Sequence, residues 1–272
     1  MDQRDLREGK PRQKTTGPPG WGLGVGLTTL PRQTPTVTET YTAEINQQRP
    51  NLEDSLHEGR MTQTGESREE ASQPTYLLTM KAKTRIATWN VRTLYQAGKV
   101  TQVAKEMDRY NLEILGISEC RWNGSGLTRL ATGHRIIYSG HASEDHEHTE
   151  GVGIMMTEES AKSLIEWEPV SPRIITARFN SKGRKVTIIQ CYAPTNTAEE
   201  ETKEEFYTML QGILDKVPAR DMKIVMGDLN AKIGSENKGK ETVMGKEALG
   251  VMNENGELFS DFLCFQRSSN WR

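Results

Sequence analysis

Between residues 84 and 266, short apolar runs alternate with amphipathic stretches, and this alternation limits the possible folds more than any other property of the chain. Arg85-Ile86-Ala87-Thr88-Trp89-Asn90 reads as a strand. Ile114-Leu115-Gly116-Ile117 reads as a short buried strand that ends at Ser118-Glu119. Further strands are predicted over residues 135–139, 152–157, 174–179 and 186–192, and Lys223-Ile224-Val225-Met226-Gly227 supplies another. Val100, Val103, Ala104 and Met107 share one face of a helix over 99–110. Phe206, Met209, Leu210, Ile213 and Leu214 share one side of a second helix over 199–216, which Pro218 ends. Residues 257–265 are predicted to begin a last helix. Several strands are apolar on both faces, so both faces need cover, and the expected architecture is a layered α/β domain.

The segment ahead of it has a different texture. Residues 1–80 hold seven of the eleven prolines and no phenylalanine, and they show neither a 3.6 nor a 2.0 apolar period. Such a stretch cannot bury enough area to offset chain entropy, so 1–80 is expected to be largely disordered. Gly20, Gly22, Gly24 and Gly26 follow no strand and precede no Lys-Ser or Lys-Thr, which favours a linker over a phosphate-binding loop. No run approaches 18 apolar residues, which excludes a membrane-spanning helix, and the charged N-terminus precedes no apolar stretch of the secretory kind. Cys120, Cys191 and Cys264 are too scattered for a disulfide scaffold or a zinc ribbon, so a reducing compartment, nuclear or cytoplasmic and not secreted, is expected. The net charge of −2 gives no global argument for nucleic acid.

The informative pattern is positional. Asn90 follows the first predicted strand, Glu119 the second, Tyr192 the run over 186–191, and Asp228 and Asn230 the strand over 223–227. If these strands lie side by side and point alike, their ends meet on one rim. Two carboxylates, two amides and a phenol suit a hard divalent cation and a phosphate: Mg²⁺ takes one or two carboxylates and accepts phosphate oxygens, while amides and phenol donate to a charged phosphorus centre. Each residue alone is ordinarily a turn residue, and the conjunction of five carries the inference.

Thr88-Trp89-Asn90-Val91-Arg92, then Ser118-Glu119 with Arg121-Trp122, then Gln190-Cys191-Tyr192-Ala193-Pro194-Thr195, then Gly227-Asp228-Leu229-Asn230-Ala231 occur in that order, and Asn253-Glu254-Asn255-Gly256-Glu257 follows. Together they resemble the motifs of the endonuclease/exonuclease/phosphatase superfamily, in particular the apurinic-endonuclease-like domain of non-LTR retrotransposons. The resemblance covers about residues 84–266. It implies a four-layer α/β sandwich of the DNase I-like kind, incomplete at its C-terminus, preceded by the disordered segment and followed by an unrelated tail over 267–272.

The resemblance also implies roles. Glu119 resembles the principal metal-ligand glutamate, with Asn90 on the metal side. Asp228 resembles the aspartate that orients and deprotonates the attacking water. Asn230 resembles the amide that steadies the phosphate and the Asp228 carboxylate, and Tyr192 the phenol that contacts the scissile phosphate. The implied cofactor is Mg²⁺, with Mn²⁺ as a substitute and no small-molecule cofactor; the implied partner is DNA, with no membrane. The implied reaction is in-line attack of water on a DNA phosphodiester, leaving a 3′-hydroxyl. Arg92, Arg121 and Trp122 are candidates to track the DNA backbone or stack on a base, against the plain alternative of a salt bridge and a half-buried indole. Family members end in an Asp-His pair, and no histidine follows His148 here, so impaired hydrolysis is expected. The rival readings are a catalytically dead, domesticated nucleic-acid- or protein-binding module and, less well matched, a hydrolase of small phosphoesters.

Two other features take plainer readings. His141, His146 and His148 among Glu144, Asp145, Glu147 and Glu150 are expected to form a solvated loop in preference to a metal site. Cys120 and Cys191 have no histidine at nucleophile spacing and read as packing residues.

Overall fold

The computed structural model describes residues 75–79, 83–235, 238–241, 243–244 and 250–269. Strands β1 (Ile86–Asn90), β2 (Ile114–Ser118), β3 (Ser125–Arg129), β4 (Arg135–Ser139) and β5 (Val152–Met156) form one sheet in the order β1-β2-β5-β4-β3. Strands β6 (Leu164–Ser171), β7 (Ile174–Phe179), β8 (Val186–Tyr192) and β9 (Met222–Asp228) form a second in the order β6-β7-β8-β9. The helices are α1 (Lys99–Arg109), the single turn α2 (Glu158–Ala161), α3 (Glu200–Lys216) and α4 (Glu254–Ser269).

The layering follows from the pleat, which sends alternate residues of each strand to opposite faces. Ile114, Ile154 and Met156 of the first sheet meet Ala177, Phe179, Val186 and Ile188 of the second in the central core. On the outer face of the first sheet, Leu115, Ile117, Ile136 and Met155 take α1 through Val103, Ala104 and Met107. On the outer face of the second, Ile189, Cys191 and Val225 take α3 and α4 through Phe206, Leu210, Leu214, Phe259 and Leu263. Helix, sheet, sheet, helix is the four-layer α/β sandwich expected.

The structure departs from the expectations at several places. Residues 1–74 and 80, where disorder is expected, lie outside the described residues. Residues 75–79 are described and packed: Leu77 is buried in the central core, and its backbone N–H donates to Asn180 O at 2.8 Å. Packed structure therefore reaches back past residue 80. Helix α4 begins at Glu254, ahead of the expected 257, and runs to Ser269, into the segment read as a tail. Strands β3 and β6 escape the sequence reading. Strand β3 sits at a sheet edge with exposed and half-buried residues alternating, and β6, also at an edge, carries Pro169 and two register shifts. On α3 the buried stripe includes Lys203, paired with Glu254 at 2.7 Å, whereas Met209 is 42% exposed.

Candidate active site at the converging strand ends

Strand polarity makes the site. β1 pairs parallel to β2 with Asn90 opposite Ser118, and β8 pairs parallel to β9 with Tyr192 opposite Asp228. β1 lies against β9 across the interface between the sheets, so the two pairs of carboxyl ends meet at one rim. The Asn90 amide joins them: Nδ2 donates to Glu119 Oε1 at 2.7 Å and to Asp228 Oδ2 at 2.8 Å. Asn90 Oδ1 accepts from the Arg92 N–H at 3.0 Å, which orients the amide with its nitrogen between the two carboxylates. Asn90 is thus the donor that spans Glu119 and Asp228.

The backbone is bent to reach this arrangement. Glu119 (φ 57°), Arg121 (φ 58°), Arg92 (φ 62°) and Asn230 (φ 48°) all occupy the left-handed region, which costs a side-chain-bearing residue on the order of 1 kcal/mol. The bend after β2 is held by Cys120 N–H to Gly151 O at 3.0 Å and Arg121 N–H to Glu150 O at 2.7 Å. The bend after β9 begins at Gly227 (φ 145°), where a Cβ would lie 1.9 Å from Cys191 O. Asp228 is then fixed by Asn230, whose backbone N–H donates to Oδ1 at 3.0 Å. The Asn230 side chain turns elsewhere, donating to Ala193 O at 2.8 Å, so it is the Asn230 backbone that steadies the carboxylate.

Tyr192 belongs to the same cluster. Burial first, and then the Glu119 and Asp228 charges, push its phenol up to about 12. It is therefore a protonated donor at neutral pH. Arg173 lies over the Tyr192 ring at 5.3 Å, donates to Tyr192 O at 3.3 Å, and pairs with Glu150. Arg173 is invisible to sequence reasoning, because only the antiparallel pairing of β7 with β8 brings it beside Tyr192. Asn253 and Asn255 were legible only as a motif. Both donate to Asn230 O, at 3.1 and 3.4 Å, and Asn255 also donates to Pro194 O at 2.9 Å.

The three candidate substrate-binding residues separate. Arg92 is exposed. Arg121 reaches Glu119 Oε2 at 3.4 Å, and its Nε is buried without a hydrogen-bond partner. Trp122 packs edge-on to Tyr138 at 5.0 Å within the α1 core, the half-buried indole of the plain reading. In the acidic loop, residues 143–147 are exposed, and His141 stacks on His146 and meets Glu150 Oε2 at 3.2 Å. Among the described residues, no three or more His, Cys, Asp or Glu side chains gather to hold a metal, in that loop or at the strand ends. Cys120 and Cys191 are fully buried and their thiols are pushed up by burial, as packing residues would be.

The four layers are those that the resemblance read from the sequence implies. The chain is 37% identical over 182 residues to craniofacial development protein 2 of Tragulus javanicus, and equally to that of Bos taurus. The match takes in 67% of this chain and 30% of each relative, so the chain spans about 30% of the length of the curated relatives it matches. No protein-family model matches. Similar solved structures include a 3′ phosphatase, NExo, from Neisseria bound to a product DNA hairpin (17% identity, TM-score 0.48, 67% of this chain and 71% of that one). They also include an AP endonuclease from Archaeoglobus fulgidus (16%, TM-score 0.47, 68% and 71%). A third is the endonuclease domain of TRAS1, a telomere-specific non-LTR retrotransposon (16%, TM-score 0.46, 67% and 70%). Among the described residues, no helix is long and apolar enough to cross a membrane.

Proposed function

We propose that this chain carries a nuclease-type site of retroelement origin that hydrolyses DNA phosphodiester bonds with Mg²⁺, or Mn²⁺ in its place. The observation that carries the reading is the Asn90 amide placed between Glu119 and Asp228, which brings carboxylates from the two sheets to one point. The donor set fits Mg²⁺. It offers two hard carboxylates and no closed cage, and Mg²⁺ characteristically takes one or two carboxylates while keeping water and phosphate oxygens as its other ligands. Glu119 is the ligand to bet on, with Asp228 beside it. The ion, when bound, would offset charge on the phosphate.

The protein's own groups supply the rest. Asp228, fixed through both oxygens by Asn90 and the Asn230 N–H, is placed to take a proton from a water aimed at phosphorus. Oxygen–phosphorus bond formation then breaks the bond to the 3′-oxygen, which takes a proton from solvent water and leaves as a 3′-hydroxyl. Tyr192, protonated at neutral pH, is placed to donate a hydrogen bond to a phosphate oxygen. These 272 residues supply no histidine after His148 for the imidazole that the resemblance implies, so turnover by them alone is expected to be weak.

Single-turnover nicking of supercoiled plasmid with the chain in excess tests this. Slow nicking that needs Mg²⁺ or Mn²⁺ and disappears in Asp228→Ala is expected. Nicking that survives in Asp228→Ala would contradict the assignment. DNA binding with no nicking at any metal concentration would favour the binding-module reading instead.

A further inference from the structure

Tyr95 is 62% exposed, yet its place is fixed. Leu94 beside it is 3% exposed, anchored in the α1 core, and its backbone N–H donates to Cys120 O at 2.9 Å. The Tyr95 N–H itself donates to Thr93 Oγ1 at 3.0 Å. The ring lies on His148, centroids 4.1 Å apart and planes 35° from one another. His148 Nδ1 in turn sits 3.0 Å from Arg121 O. The pair therefore joins the loop after β1, the loop before β5 and the bend that carries Glu119 and Arg121. Exposed Arg92 lies three residues before Tyr95.

Tyr95 offers an open aromatic ring on the loop after β1, three residues from exposed Arg92 and joined through His148 to the backbone of the bend that carries Glu119 and Arg121; single-stranded nucleic acid is held where arginines meet the backbone and such a ring takes a base. Trp122, the aromatic candidate from the sequence, is half-buried with its ring edge-on to Tyr138, whereas Tyr95 is open. We propose that Tyr95, backed by His148, is a stacking platform for an unpaired base of the DNA strand whose phosphate lies at Glu119 and Asp228. This rests on the reading of that rim as a DNA site. The contact is to a base and not to backbone, since exposed Glu144, Asp145 and Glu147 share the His148 loop and would repel phosphate. Stacking is sequence-tolerant, so the platform favours locally unpaired DNA without dictating its sequence. A ring already held by His148 and a buried anchor loses little freedom on binding.

Fluorescence anisotropy of a short 5′-fluorescein single-stranded oligonucleotide, titrated with the full chain in EDTA, reads binding apart from cleavage. Tyr95→Ala should weaken binding by about 5- to 150-fold, the range for loss of one base–aromatic stack. Tyr95→Phe, which keeps the ring, should bind within about twofold of wild type, and His148→Ala should fall between. Thermal melts of each variant confirm folding. Equal affinity of Tyr95→Ala and wild type would overturn the platform, as would a loss in Tyr95→Phe equal to that in Tyr95→Ala, or wild-type binding to duplex but not to single strands. The two proposals fail separately. Unchanged Tyr95→Ala binding with Asp228-dependent nicking sinks only the platform, and Tyr95-dependent binding without nicking sinks only hydrolysis.

Discussion

Gly227 shows how much one residue contributes to the site. Its φ of 145° and the 1.9 Å approach of a would-be Cβ to Cys191 O leave room only for hydrogen, and Asp228 is next in the chain. Gly227→Ala is expected to cost roughly 2 kcal/mol or more in urea unfolding, because backbone and not a yielding side chain must move. It should also abolish nicking, since the displacement falls on Asp228. Unchanged stability would show that the close approach is not real. Tyr192 makes a second residue-scale prediction. Its folded value of about 12 lies above the roughly 10 of an unfolded tyrosine, so the folded state holds this proton more tightly. The corresponding stability is intact below about pH 10 and is lost as pH rises toward 12. In urea unfolding at a series of alkaline pH values, Tyr192→Phe should therefore gain on wild type across that window. Parallel curves would contradict a buried phenol beside the Glu119 charge.

Elements are tied together by a few buried polar groups. Asp221, with a 4% exposed side chain ahead of β9, takes Arg178 of β7 in a two-point pair at 2.7 and 3.2 Å and Thr187 of β8 at 3.0 Å. Burial opposes its charge, but these donors outweigh burial and hold the carboxyl below its usual value. The stability it contributes is present above about pH 4 and lost as pH falls through the depressed value. Asp221→Ala should cost about 3 kcal/mol at neutral pH and less in acid, measured by urea unfolding at both. At the other end of the sheet, Asn255 is 1% exposed and ties the start of α4 to Pro194 O and Asn230 O. Asn255→Ala should cost about 1–3 kcal/mol by leaving those carbonyls unsatisfied. These ties mark the limit of what the sequence discloses. Strands apolar on both faces, such as β2 and β8, are legible because burial alone writes their composition. Edge strands β3 and β6 are not, since a half-solvated strand accepts charge, glycine and proline. Lys203 reads as solvent-facing until Glu254, 51 residues on, is brought to it.

At the scale of the whole molecule, the site exists because two parallel strand pairs from different sheets present their carboxyl ends to one rim. The residue types at that rim were legible from position: Asn90, Glu119, Tyr192 and Asp228 each follow a strand, and the fold brings them together. Which atoms face which was not legible. The Asn90 amide bridges, the Asn230 side chain serves Ala193, and Arg173 enters from the turn between β6 and β7. Trp122, the aromatic that the sequence singles out, packs edge-on to Tyr138, whereas Tyr95, which the sequence does not single out, is 62% exposed, since accessibility is a property of packing and not of the motif. The central claim is that Glu119 and Asp228, 109 positions apart in the chain and spanned by the Asn90 amide, would act on one bound cation. Titration of Mn²⁺ followed by electron paramagnetic resonance tests it most directly, with competition by Mg²⁺. The account predicts one site, weakened about tenfold or more in both Glu119→Gln and Asp228→Asn. Binding that is unaffected by either substitution, or that answers to only one of them, would contradict it.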